Sequence, residues 1–205
     1  MERPITPDKD AIALLEPFER LGLDRIELVA EAPHAERAAS ELLGAAAWGF
    51  DTESKPTFLQ GEASEGPHVV QLALPAKAFV FQLHDEGCRR VVARLLAQPG
   101  IVKAGFGLGD DKKRIARKLG VEPQDVLDLN AVLRQRGWRR EMGVKAAVAV
   151  LFQRRYQKSK KATTSNWANR SLTPAQLLYA ANDAWAALRV YQALGLPGSS
   201  SQNSS

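Results

Sequence analysis

Apolar and polar positions change period several times along this chain of 205 residues, and each change marks an element. Thr6-Pro7-Asp8, a cap hydroxyl followed by a first-turn proline, leads into Ile12, Leu14, Leu15 and Phe18 and predicts an opening helix packed on the outside of the domain. A short strand candidate at Ile26 to Val29 precedes Pro33 and a helix from about His34 to Leu43. The apolar run Ala45-Ala46-Ala47-Trp48-Gly49-Phe50 predicts a buried strand ending at Asp51 to Glu53. Gly61 to Pro67, rich in Gly, Ser and Glu, is expected to be a mobile loop, and Val69 to Leu74 and Phe79 to Leu83 are strand-like runs around Pro75 and Ala76. A helix Glu86 to Ala97, a strand Val102 to Gly105, a helix Lys112 to Leu119 and a strand Val126 to Leu129 follow. Helical segments Ala131 to Arg136 and Val144 to Arg155 come next, and Thr173-Pro174 opens a last helix to about Leu194. Pro197 to Ser205, nearly all Ser, Gly and polar residues, is expected to be a disordered tail.

Three strands in succession, then strands alternating with helices, then helices, predict an α/β fold. The expected sheet is mixed and five-stranded, with three antiparallel strands followed by parallel ones, and helices cover both faces. That is the ribonuclease H-like layering, which carries many chemistries and by itself fixes none.

With 45% hydrophobic and 25% charged residues the chain has material for one well-buried core, so one domain is expected. No basic flank with an apolar run opens it, and no stretch approaches the roughly 18 apolar residues of a membrane span. A soluble, cytoplasmic protein with no membrane partner is the expectation. Cys88 is the single cysteine and His34, His68 and His84 the only histidines, which excludes a disulfide framework and a Cys/His zinc cluster. Any metal must be held by oxygen. The formal charge is +5, and the excess is clustered: Lys112, Lys113, Arg114, Arg117 and Lys118; Arg134, Arg136, Arg139 and Arg140; Arg154 and Arg155 through Lys158, Lys160 and Lys161. Each run also suits a solvated helix face, but three in one small domain point to an anionic polymer.

Side chains alternate along a strand, so Asp51 and Glu53 leave the same face and can share a metal ion. A strand end turning into solvent would show the same triplet. Tyr179 and Asp183 lie one turn apart on the last helix, where an ordinary amphipathic face beside Leu178, Ala181 and Trp185 is the alternative. Gly105 to Gly109 runs from a strand into a helix opened by Asp110 and Asp111. Acids there suit a helix start. The glycines lack the lysine-serine/threonine ending of a P-loop and two acids repel phosphate, so a metal ligand at the strand's end suits the place better.

Three blocks together resemble the DEDDy 3′-to-5′ exonuclease family, the ribonuclease D and Werner exonuclease group of the DnaQ-like superfamily. They are Gly49-Phe50-Asp51-Thr52-Glu53-Ser54; Lys103 through Gly105-Phe106-Gly107-Leu108-Gly109-Asp110-Asp111; and Ser165-Asn166-Trp167-Ala168-Asn169-Arg170 on through Leu172, Gln176, Tyr179 and Ala180 to Asp183. Ile115, four residues after Asp111, favours Asp111 over Asp110 as the second-block ligand. Tyr179 places the chain in the tyrosine subgroup. The resemblance covers about Ile26 to Leu194, which divides the chain into a helical extension (1–25), an exonuclease domain (26–196) and the tail (197–205), with no appended nucleic-acid domain expected.

The resemblance implies that Asp51, Glu53, Asp111 and Asp183 hold two divalent ions, Mg²⁺ or Mn²⁺, about 3.5 to 4 Å apart for two-metal hydrolysis. Removal of nucleoside 5′-monophosphates from a single-stranded 3′ end of DNA or RNA would follow. Tyr179 would orient the attacking water rather than act as base, since its ordinary pKa is about 10. Glu53 would also touch the terminal 3′ hydroxyl, and Thr52 is placed with the substrate contacts. Phe106 stands where family members often have histidine, and stacking on a base or sugar is its expected role. Lys158, Lys160 and Lys161 are expected to track the strand upstream of the scissile bond. Trp167 is open between a stacking platform and packing. Two alternatives are a nuclease for dinucleotides and a catalytically silent nucleic-acid-binding module.

Overall fold

The computed structural model describes residues 6–57, 64–138 and 142–197, the side chains of Lys160 and Lys161 excepted. The start of the loop expected at Gly61 to Pro67 (residues 61–63), the pair Arg139 and Arg140, and the tail after Pro197 therefore lie outside the described residues. The strands are β1 (Ile26–Val29), β2 (Ala47–Glu53), β3 (Val69–Ala73), β4 (Ala78–Gln82), β5 (Val102–Gly105) and β6 (Val126–Asp128). The helices are α1 (Lys9–Ala13), α2 (Ala32–Leu42), α3 (Glu86–Ala97), α4 (Gly109–Leu119), α5 (Leu129–Gln135), α6 (Gly143–Phe152), α7 (Lys160–Thr163) and α8 (Pro174–Ala193).

All six strands form one mixed sheet in the order β1-β4-β3-β2-β5-β6. β2, β3 and β4 pair antiparallel, while β5 and β6 extend the sheet beyond β2 in parallel. The ribonuclease H-like expectation holds, with six strands rather than five. The added strand is β1, which pairs parallel with the outer edge of β4 from Ile26 opposite Ala78 to Val29 opposite Phe81. It satisfies backbone groups of β4 that would otherwise form an open edge.

Helices cover both faces, so the central strands read as continuous apolar runs instead of alternating. β3 and β4 are buried at every position. On one face α2 and α3 enclose Trp48, Phe50, Leu72, Phe79 and Phe81. On the other lies α8, buried nearly all round, with Ala180, Ala181, Ala184, Ala186 and Ala187 along it. These small side chains let it lie close against the sheet. It starts on a capping box, Thr173 accepting from the Gln176 amide while Gln176 accepts from the Thr173 amide.

Several boundaries differ from expectation. α1 is capped by Asp8, whose carboxylate accepts from the Ala11 amide at 2.8 Å, and buries no residue. The expected cap, Thr6, stands two residues too early, and the helix stops before Phe18. α4 starts three residues ahead of the expected Lys112, so Asp110 and Asp111 lie inside its first turn. α6 stops at Phe152, because Gln153 takes a left-handed conformation with φ 52°. Residues beyond it run extended, and Pro17 bridges Arg155 in parallel.

Candidate active site

β2 is the middle of the site. Its buried run holds the chain rigid up to Asp51 and Glu53, both half-buried and on one face. α8 crosses that face. Gly49 makes the crossing possible, since a Cβ there would stand 1.9 Å from the carbonyl oxygen of Ala184. Asp183, next along α8, is thereby brought to β2. Asp51, Glu53 and Asp183 each offer a carboxylate oxygen, all within 4.8 Å of one another.

Asp183 is held by two donors from the extended segment after α6. The Tyr156 hydroxyl donates to its Oδ1 at 2.6 Å, and Lys158 Nζ lies 2.5 Å from its Oδ2. Two residues apart on extended backbone, Tyr156 and Lys158 project the same way. The Lys158 ammonium also lies 4.9 Å from the centre of the Tyr179 ring. Tyr179 itself accepts from the Thr163 hydroxyl at 3.2 Å and packs on Trp167 with ring centres 5.9 Å apart.

Asp111 approaches from α4. The Thr52 hydroxyl donates to its Oδ1 at 2.5 Å, and Arg114 lies 3.7 Å from the same oxygen. The loop ahead of α4 is fixed by Asp128, which accepts from the amides of Gly107 and Leu108, both at 3.2 Å, and caps α5 through the Asn130 amide at 2.9 Å. Asp110 is exposed and faces Lys113 at 3.4 Å.

Burial and crowding of like charge set the proton affinities. Asp51 is pushed well above the usual carboxylate range by burial, then by the charges of Asp183 and Asp111, with Lys158 opposing. Glu53 is raised to about 9 by burial and then by Asp51 and Asp183. Burial also raises Asp111, against the Thr52 hydrogen bond. Tyr179 is raised to about 12, by burial first and then by the Asp183 charge, so its phenol stays protonated at neutral pH. Three crowded carboxylates of this kind call for positive charge, and an all-oxygen donor set suits hard divalent cations.

Residues 26–197 match the family described as 3′-5′ exonuclease. The chain belongs to that family. It is 31% identical over 157 residues to the mouse bifunctional 3′-5′ exonuclease/ATP-dependent helicase WRN, covering 75% of this chain and 11% of that protein. A 3′-5′ exonuclease of Arabidopsis thaliana is 28% identical over 153 residues, covering 74% of this chain and 53% of that one. The chain thus spans about a tenth and about half of the length of these two relatives. Among solved structures, Trypanosoma brucei RNase D superposes with a TM-score of 0.74 at 24% identity, over 82% of this chain and 64% of that one. The same protein in complex with RNA U12 gives 0.73 at 23% identity, over 90% and 64%. At these identities the structural likeness speaks for the fold.

Within this exonuclease fold the expected residues divide. Asp51, Glu53 and Asp183 converge, with Tyr179 beside them, and Asp111 sits at the margin with its carboxylate turned to Thr52. Lys158 is not on an outer track for the strand but in the acid cluster, because the extended segment 154–159 runs along α8 instead of continuing α6. Lys160 and Lys161 belong to α7, and their side chains lie outside the described residues. Phe106 is half-buried against the core under α8. Trp167 is fully buried behind Tyr179, which decides for packing over an open stacking platform. Tyr156 was not legible as a site residue. Its one sequence signal is the Tyr-x-Lys alternation, which points at nothing until the segment's course is known.

Proposed function

We propose that this exonuclease-family chain hydrolyses the terminal phosphodiester bond at a single-stranded 3′ end, releasing nucleoside 5′-monophosphates. The observation that carries the reading is the convergence of Asp51, Glu53 and Asp183 within 4.8 Å beside Tyr179. The donor set fits two divalent ions, Mg²⁺ or Mn²⁺, held by these three carboxylates and Asp111. Such ions supply Lewis-acid activation of water and stabilisation of the leaving oxygen.

The chain's own residues do the positioning. Tyr179, a protonated phenol with a pKa of about 12, donates a hydrogen bond to the attacking water or a phosphate oxygen and does not act as base. Tyr156 fixes the Asp183 carboxylate through its hydrogen bond to Oδ1. Thr52 orients Asp111 through its hydroxyl. Glu53, at the end of β2, is the carboxylate for the terminal 3′ hydroxyl. The exposed Lys112, Lys113, Arg117 and Lys118 on α4 supply positive charge for a phosphate backbone, so affinity falls with salt.

The test incubates the protein and its D51A and D183A variants with 3′- and 5′-labelled single-stranded and duplex DNA and RNA and with a dinucleotide. Mg²⁺, Mn²⁺ or chelator is present in parallel. Stepwise shortening from the 3′ end by wild type alone, lost with chelator, is the expected result. Equal behaviour of wild type and variants would sink the assignment.

A further inference from the structure

Both carboxylate oxygens of Asp183 are engaged by the chain itself, Oδ1 by the Tyr156 hydroxyl at 2.6 Å and Oδ2 by the Lys158 ammonium at 2.5 Å. A divalent cation that draws on Asp51, Glu53 and Asp183 together therefore meets the Lys158 ammonium as a competitor for the same carboxylates. Tyr156 is ill suited to move: it is buried in the core formed with α6 and α8, its ring packed among apolar side chains. Lys158 is suited to it. Its long unbranched side chain keeps 27% of its surface exposed, and it borders a cavity of about 320 Å³ whose walls include Glu19, Gln157 and Ser159. The ammonium can withdraw there and keep polar partners.

We propose that Lys158 is the resident cation of the acid cluster. Its ammonium supplies the positive charge beside Asp51, Glu53 and Asp183 while no divalent ion is bound, and it releases Asp183 when one binds. The inference rests on the reading of this cluster as a divalent-metal site. It gives a lysine inside an acidic pocket a reason beyond phosphate attraction. Without a countercharge, three carboxylates within 4.8 Å repel one another in a poorly solvated pocket, a costly arrangement for the folded chain. With it, the pocket is preassembled and exchanges one cation for another. Metal loading is then a competition, and the apparent affinity is lowered by the fraction of molecules in which Lys158 holds Asp183.

Lys158→Met keeps the apolar stem and removes the charge, and Lys158→Gln is a second removal should the first not fold. Mn²⁺ binding to the full chain is measured by electron paramagnetic resonance of the free ion. Thermal unfolding is followed with chelator and with saturating Mn²⁺. Each variant is expected to bind Mn²⁺ about tenfold more tightly than wild type, as follows if Lys158 leaves roughly a tenth of the sites competent. The metal-free variants are expected to melt below wild type, and the gap to close when Mn²⁺ saturates. Equal or weaker Mn²⁺ binding by the variants overturns the inference and leaves the metal-site reading standing. A wild type that binds no more Mn²⁺ than a D51A/D183A double variant overturns the metal-site reading, and this inference with it.

Discussion

A methyl group on Gly49 would stand 1.9 Å from the carbonyl oxygen of Ala184, closer than any side chain tolerates. The clash is with backbone of a buried helix, so relief needs movement of α8 and not of a side chain. Gly49→Ala is therefore expected to cost about 3 kcal/mol of stability, at the upper end of overpacking changes. Activity should fall further than stability, because the displaced helix carries Tyr179 and Asp183. Chemical denaturation and single-turnover cleavage read the two effects. A variant with wild-type stability and rate would show that α8 does not depend on this close approach.

Tyr156→Phe removes one hydroxyl and keeps the buried ring. Asp183 then loses the 2.6 Å hydrogen bond to Oδ1, and a hydrogen bond to a charged group contributes about 1.5–3 kcal/mol. The expected outcome is a loss of roughly tenfold in kcat, corresponding to about 1.4 kcal/mol of misplacement at the reacting centre, with little change in KM. Steady-state kinetics on a labelled oligonucleotide check it. An unchanged kcat would leave Tyr156 a packing residue.

Asp128 fastens two elements at once, the Gly107 and Leu108 amides ahead of α4 and the first turn of α5. Asp128→Ala is expected to cost about 1–2 kcal/mol as a lost cap. Hydrogen exchange should speed up at Gly107, Leu108 and Asn130 and at no amide of β2. Protection that stays unchanged at these amides would contradict the assigned anchor.

The metal-free protein should lose stability as pH rises. Glu53 has its folded pKa raised to about 9 from an ordinary 4.5, and Asp51 is raised as well, so between these values the folded state holds protons the unfolded state has released. Stability falls with pH wherever the folded state binds more protons. The window runs from about pH 4.5, where the unfolded glutamate ionises, to about 9, above which the loss is complete. Melting temperatures in chelator across this range should decline, less steeply for Glu53→Gln, and saturating Mn²⁺ should flatten the profile. A melting temperature that climbs with pH in chelator would refute the cluster's electrostatics.

Much of the site was legible from local spacing. Asp51 and Glu53 could be placed on one face because strand alternation is fixed by the backbone, and Tyr179 and Asp183 on one face because a helical turn is. Asp111 was favoured over Asp110 by the resemblance alone, and the structure turns Asp110 outward to Lys113. Non-local features were not legible. The sixth strand depends on β1 finding the free edge of β4 across some fifty residues of sequence. The position of Lys158 at Asp183 was not legible either, because α6 stops at Phe152 before Gln153, and no glycine or proline announces that left-handed stop. Trp167 read as exposed or packed with equal warrant until Tyr179 was seen against it.

The segment that carries Tyr156 and Lys158 is splinted from outside the matched region. Phe18 donates its amide to the Arg155 carbonyl at 3.0 Å, and Arg155 donates back to Glu16 at 2.8 Å. Three residues on, Leu21 is pinned to Asn182 of α8, neighbour of Asp183, its amide donating to Oδ1 at 2.7 Å. A fragment trimmed to start at Ile26, where similarity to the family begins, would keep every acid and lose the brace that aims two of their partners. The brace of the segment that carries Tyr156 and Lys158 therefore lies upstream of the boundary that kinship draws.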